Sequence, residues 1–84
     1  MLSAIVLQAA GGAALGTAGI AISAALAAFA GAFGIGKIGK ATMEASARQP
    51  ESANGYRLTA IIVAALVEGA SLFAILVCLL ALNK

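Results

Sequence analysis

From Met1 to Gly36 no side chain carries a charge; Gln8 is the one strongly polar residue, joined by the small hydroxyls Ser3, Thr17 and Ser23. A second apolar run, Leu58 to Leu82, holds one acidic or basic residue, Glu68, near its middle. Neither run alternates as a half-buried strand would, and Ala and Gly dominate the first, which favours helix even though glycine weakens an isolated one. Both exceed the roughly 20 apolar residues that a helix needs to cross a bilayer. The segment between them, Lys37–Arg57, carries four of the five basic residues, two of the three acids, the only proline (Pro50) and the turn-prone Asn54-Gly55. Pro50 cannot continue a helix, and Gln49 before it is biased to extended backbone. The pattern predicts one domain over 1–84: helix 1 over about 2–46, a polar loop over about 47–53 and helix 2 over about 54–83. The fold class is all-α membrane, a two-helix transmembrane hairpin.

Composition sharpens this. The chain has 84 residues, 63% hydrophobic and 10% charged. A soluble domain of this size leaves much of its surface in water, so it would struggle to hide so apolar a chain. The net charge of +2 comes from scattered bases without an aromatic platform, which argues against nucleic acid. With no histidine and one cysteine, neither an internal disulfide nor a Cys/His metal cluster is expected, and Cys78 reads as a small packing residue. Met1–Gly19 lacks the basic n-region of a signal peptide and its apolar character runs on to Ile35, so it reads as the start of the first span. Basic residues favour the cytoplasmic side, which puts Lys37–Arg57 in the cytoplasm (or an organelle matrix) and both termini opposite, with Lys84 the lone exception.

Two motifs fail their physical context. Gly34-Ile35-Gly36-Lys37-Ile38-Gly39 matches G-x-G-x-x-G, but no strand precedes it and no acid follows about 20 residues on. Gly31–Lys37 and Gly34–Lys40 match G-x-x-x-x-G-K, but Ile38 and Ala41 stand where a phosphate loop needs Ser or Thr. The small residues read better as packing faces: Gly12 with Gly16, Ala28 with Ala32 and Gly36, and Ala30 with Gly34. Helices in lipid associate by close backbone approach. Helix 1 has more such faces than one partner needs, which implies self-association in a ring or bundle.

Glu68 carries the functional reading. A charged carboxylate at mid-membrane costs a few kcal/mol on insertion scales, and such residues mark ion paths. Low dielectric favours the neutral acid and a nearby cation favours the charged one. No Lys or Arg lies inside the second span, so that cation must come from another subunit. Gly69 and Ala70 leave room beside the carboxyl.

These residues resemble the c subunit (proteolipid) of rotary F-type ATP synthases over nearly the whole chain. Ala47-Arg48-Gln49-Pro50-Glu51 is similar to the family's polar-loop signature, Glu68 stands at the family's spacing from Arg48, and helix 1 has the family's small-residue character. The resemblance implies a homo-oligomeric ring of identical c subunits, helix 1 inside and helix 2 outside. Glu68 would bind the carried ion, and a stator a subunit would supply an arginine. Arg48, Gln49 and Pro50 would contact the central-stalk subunits gamma and epsilon, and Ala28, Ala30, Ala32, Gly34 and Gly36 would pack the ring. It implies a non-catalytic protein in contact with membrane lipid, with no cofactor and no metal, in the inner membrane of a bacterium more readily than in an organelle.

Sodium-carrying relatives place Gln where this chain has Ile35, follow the carboxylate with hydroxyl residues and add a Tyr. Gly69, Ala70 and Phe73 stand here instead, which points to protons; Ser71 is off the usual position. Alanine at three of the four G-x-G-x-G-x-G positions, Ala28 to Gly34, points to a wider ring. A sodium ring, a structural oligomer or pore, and a vacuolar- or archaeal-type proteolipid remain alternatives.

Overall fold

The structure is a computed structural model that describes residues 1–84. It consists of two antiparallel helices and one tight turn. Helix α1 runs Leu2–Arg48, a 3-10 turn covers Pro50–Ser52, and helix α2 runs Ala53–Leu82. At 1.5 Å per residue α1 is about 70 Å long and α2 about 45 Å; the molecule is 74 Å along its long axis and 18 Å across.

The turn follows from Pro50. Gln49 is extended, with φ −133° and ψ 75°, the backbone that a residue before proline prefers. Its N–H still donates to Ala45 O at 2.9 Å, and its carbonyl accepts from Ser52 N at 3.0 Å. Its side-chain Oε1 accepts from the Tyr56 hydroxyl at 2.7 Å, tying the turn to α2. The irregular stretch is thus Gln49–Ser52, shorter than the 47–53 expected. Proline restricts only its immediate predecessor, so Ala47 and Arg48 stay helical, and Ala53 opens α2.

The helices meet along one seam. Half-buried positions recur every three or four residues: Ile20, Ala24, Ala27, Gly34, Ile38, Thr42 and Ala45 on α1, and Ala53, Tyr56, Ala60, Ala64, Val67, Ser71, Ile75 and Cys78 on α2. That spacing is one helical face. Gly31 is the one buried residue. Thr42 Oγ1 donates to Ile38 O at 2.7 Å, so its hydroxyl enters the seam satisfied. No glycine has positive φ; the glycines serve closeness, not a special backbone.

Beyond the seam the hairpin is bare. Leu26, Phe29, Phe33, Leu66 and Phe73 are all more than half exposed. Both helices are long and apolar enough to cross a membrane. Lipid and further protein, not water, are the surroundings such a surface fits.

Candidate functional site

Glu68 sits mid-way along α2, beside the seam rather than in it. Its neighbour Val67 faces α1, where a Cβ added at Gly34 would stand 3.8 Å from Val67 Cγ1. One turn on, Ser71 packs directly on Gly31. A Cβ added there would overlap Ser71 Oγ and lie 3.0 Å from Ser71 Cβ. The helices are therefore pinned backbone to side chain at the level of the carboxyl. Pinning Val67 and Ser71 inward fixes the rotation of α2 and turns Glu68 outward, where it is exposed.

Helical spacing puts Arg57, Ile61 and Glu68 on one stripe. Towards the loop that stripe borders an open groove of about 770 Å³, lined by Ile35, Ile38, Met43, Arg57, Ile61 and Ala64 among others. The chain's three side-chain hydrogen bonds join Ser23 to Gly19, Thr42 to Ile38 and Tyr56 to Gln49. None involves Glu68. Within its own chain the carboxyl has no partner, so whatever pairs with it comes from outside.

The other singled-out residues separate into groups. Ile35 is half-buried, while Gly69, Ala70 and Phe73 are exposed. Ser71 spends its position on the contact with Gly31. Arg48 closes α1 and Pro50 opens the 3-10 turn, both exposed at the hairpin's tip with Gln49 between them. Gly34 belongs to the α1–α2 seam, whereas Ala28, Ala30, Ala32 and Gly36 are exposed and free to meet other chains. The glycine-rich stretch Gly31–Lys40 is uninterrupted helix with no phosphate-cradling loop. Lys37 Nζ lies 5.3 Å from the centre of the Phe33 ring, and Phe33 stacks on Phe29 with centroids 6.1 Å apart. Sequence reasoning missed two contacts, Gly31 with Ser71 and Gln49 with Tyr56. The first had a faint signal in the spacing Ala24, Ala27, Gly31, Gly34; the second had none.

Comparison with known proteins agrees with this arrangement. The family model for the ATP synthase C subunit matches residues 18–81. The chain is 56% identical over 82 residues to the ATP synthase c subunit of Phocaeicola vulgatus, covering 98% of each chain. It is 51% identical to that of Bacteroides thetaiotaomicron, covering 95% of each. With the corresponding protein of Lactobacillus helveticus it shares 48% identity over 61 residues, 73% of this chain and 79% of the relative. No solved structure matches. A family match over most of the chain, joined to an all-helical hairpin with one lone carboxyl at mid-span, gives the conclusion that this chain belongs to the family of ATP synthase C subunits.

Proposed function

We propose that this chain is a rotor-ring component of an ATP synthase membrane sector and that Glu68 carries protons. The observation that carries the reading is the exposed, unpartnered carboxyl of Glu68 on an apolar helix. Neutral, it passes through lipid at little cost; charged, it needs a cation. An arginine from the stator a subunit supplies that cation where the proton is exchanged. Between two aqueous half-channels the ring turns by the alternation of these forms. The chain performs no nucleotide chemistry and needs no cofactor or metal.

The tip residues Arg48, Gln49 and Pro50 grip the central-stalk subunits gamma and epsilon. Their rigidity follows from Pro50 and from the Tyr56–Gln49 hydrogen bond. The exposed small residues Ala28, Ala30, Ala32 and Gly36 pack α1 against neighbouring copies. Four of the five basic residues lie in Lys37–Arg57, which supports a cytoplasmic tip and termini on the far side of a bacterial inner membrane.

Protons are favoured over sodium by the chemistry around the carboxyl. Sodium needs several oxygen ligands. Ile35, Gly69, Ala70 and Phe73 offer no side-chain oxygen, and the Ser71 hydroxyl is turned into the seam. A hydrophobic carbodiimide, which attacks the protonated acid, tests this on the purified ring: one adduct at Glu68 is expected, formed at the same rate with or without sodium near neutral pH. Protection by sodium would establish the alternative, a sodium-carrying ring.

A further inference from the structure

The two helices differ in length, and the excess lies at one end. The seam's register, Gly31 on Ser71 and Gly34 on Val67, sets the end of α2, Leu82, level with Ile20. Every residue from Met1 to Gly19 is exposed. Helix α1 therefore continues past α2 by about 27 Å, at 1.5 Å per residue. The overhang is also the part that the family model, matching residues 18–81, does not cover.

The bilayer does not account for it. The uncharged run from Met1 to Gly36 is about 54 Å of helix against a hydrocarbon layer of about 30 Å. Fitting it by tilt would need an angle of roughly 56°, beyond the observed range of about 0–40°. Nor does the overhang resemble a helix lying on the membrane surface, which needs a charged face and an apolar one. It has no charge, and its few polar residues are split, Gln8 on the side opposite Ser3 and Thr17. Leu2, Ile5, Leu7 and Leu15 would stand in water.

Something must cover this segment, and the same segment of an adjacent copy is already in place. We infer that residues 2–19 form a collar, in which α1 helices of neighbouring protomers stay packed on one another beyond the membrane and beyond the end of α2. The inference rests on the ring reading. Gly12, Gly16 and Gly19 have nothing within 4 Å of an added Cβ, so they serve no contact within the hairpin while weakening the helix. With Ser23 they lie on one side, and that side continues into Ala30 beside the seam. Ser23 Oγ donates back to Gly19 O at 2.8 Å, leaving no unsatisfied hydroxyl on the face. The partner is a second copy of this chain, approaching at glycine distance.

The test uses the full-length ring purified in mild detergent, in a Cys78→Ser background. Gly12→Cys combined with Ala14→Cys, on opposite sides of α1 at nearly the same height, should give, on mild oxidation, a ladder of cross-linked multimers. Gly12→Ile and Gly16→Ile should lower the temperature at which the ring dissociates in detergent, without loss of the Glu68 carbodiimide adduct. A tryptophan in place of Leu7 should escape quenching by lipids brominated on their acyl chains. An intact ring without a ladder, a Leu7→Trp signal quenched by those lipids, or a mature protein whose mass shows residues 2–17 removed would each overturn the collar while leaving the ring reading standing. Failure of the unsubstituted protein to form any ring would overturn the ring reading itself.

Discussion

The Gly31–Ser71 contact yields the sharpest structural prediction. In Gly31→Ala the new methyl overlaps Ser71 Oγ and meets Ser71 Cβ at 3.0 Å. The hydroxyl can rotate away, but the Cβ is fixed to α2, so the helices must part by a few tenths of an ångström. Overpacking of this kind costs about 1–3 kcal/mol, and replacing a helical glycine by alanine returns about 1 kcal/mol. The net expectation is a loss of about 0–2 kcal/mol per hairpin. Gly34→Ala is the internal control. Its methyl would make an ordinary contact at 3.8 Å with Val67 Cγ1, so the propensity gain of about 1 kcal/mol should stand alone. Gly31→Ala with Ser71→Gly removes both clashing atoms and should recover the original spacing. The assay is the midpoint of ring dissociation in a detergent titration, read on a gel, together with ATP-driven proton pumping in inverted vesicles. Gly31→Ala should be the less stable ring with reduced pumping, because the contact it disturbs sets the rotation of α2 and hence the direction of Glu68. Recovery of both readouts by Ser71→Gly is the coupled outcome expected of touching residues. Equal stability of Gly31→Ala and Gly34→Ala, or no rescue by Ser71→Gly, would refute the claim that this contact orients the carboxyl.

Further outcomes follow from the site and the turn. Glu68→Gln should preserve the ring but abolish proton pumping and carbodiimide labelling; pumping that survives in reconstituted vesicles would sink the carrier role. Tyr56→Phe removes the hydrogen bond to Gln49 Oε1 at 2.7 Å, an exposed neutral bond worth about 0.5–1.5 kcal/mol at most. Its expected effect is looser coupling of ATP hydrolysis to pumping with the ring unaffected, and Gln49→Leu should behave alike. Lys37→Gln removes the cation 5.3 Å from the Phe33 ring, a contact worth about 0.5–1 kcal/mol at an exposed site, so ring stability should shift only slightly.

Much of this protein is legible in its sequence because lipid imposes simple rules. Two apolar runs longer than a bilayer have to be helices, since backbone groups in hydrocarbon must bond within their own segment. Pro50 placed the reversal to within two or three residues, because a missing N–H cannot be compensated in the next turn. Glu68 stood out because nothing else in the second run is acidic or basic. What the sequence left open is which small residues touch which partner. Ten glycines look alike along the chain, yet only Gly31 and Gly34 would meet an atom within 4 Å on gaining a Cβ. That selection depends on the antiparallel register, and the register depends on how Gln49–Ser52 turn the chain and on where Tyr56 reaches back to hold them. The same register decided that Val67 and Ser71 face inward and Glu68 outward, and that α1 outruns α2 by its first eighteen residues. Local patterns report which side of a helix is small or apolar. Only the packed pair reports how far along the helices those sides meet, because that distance is a property of two elements and their connection together.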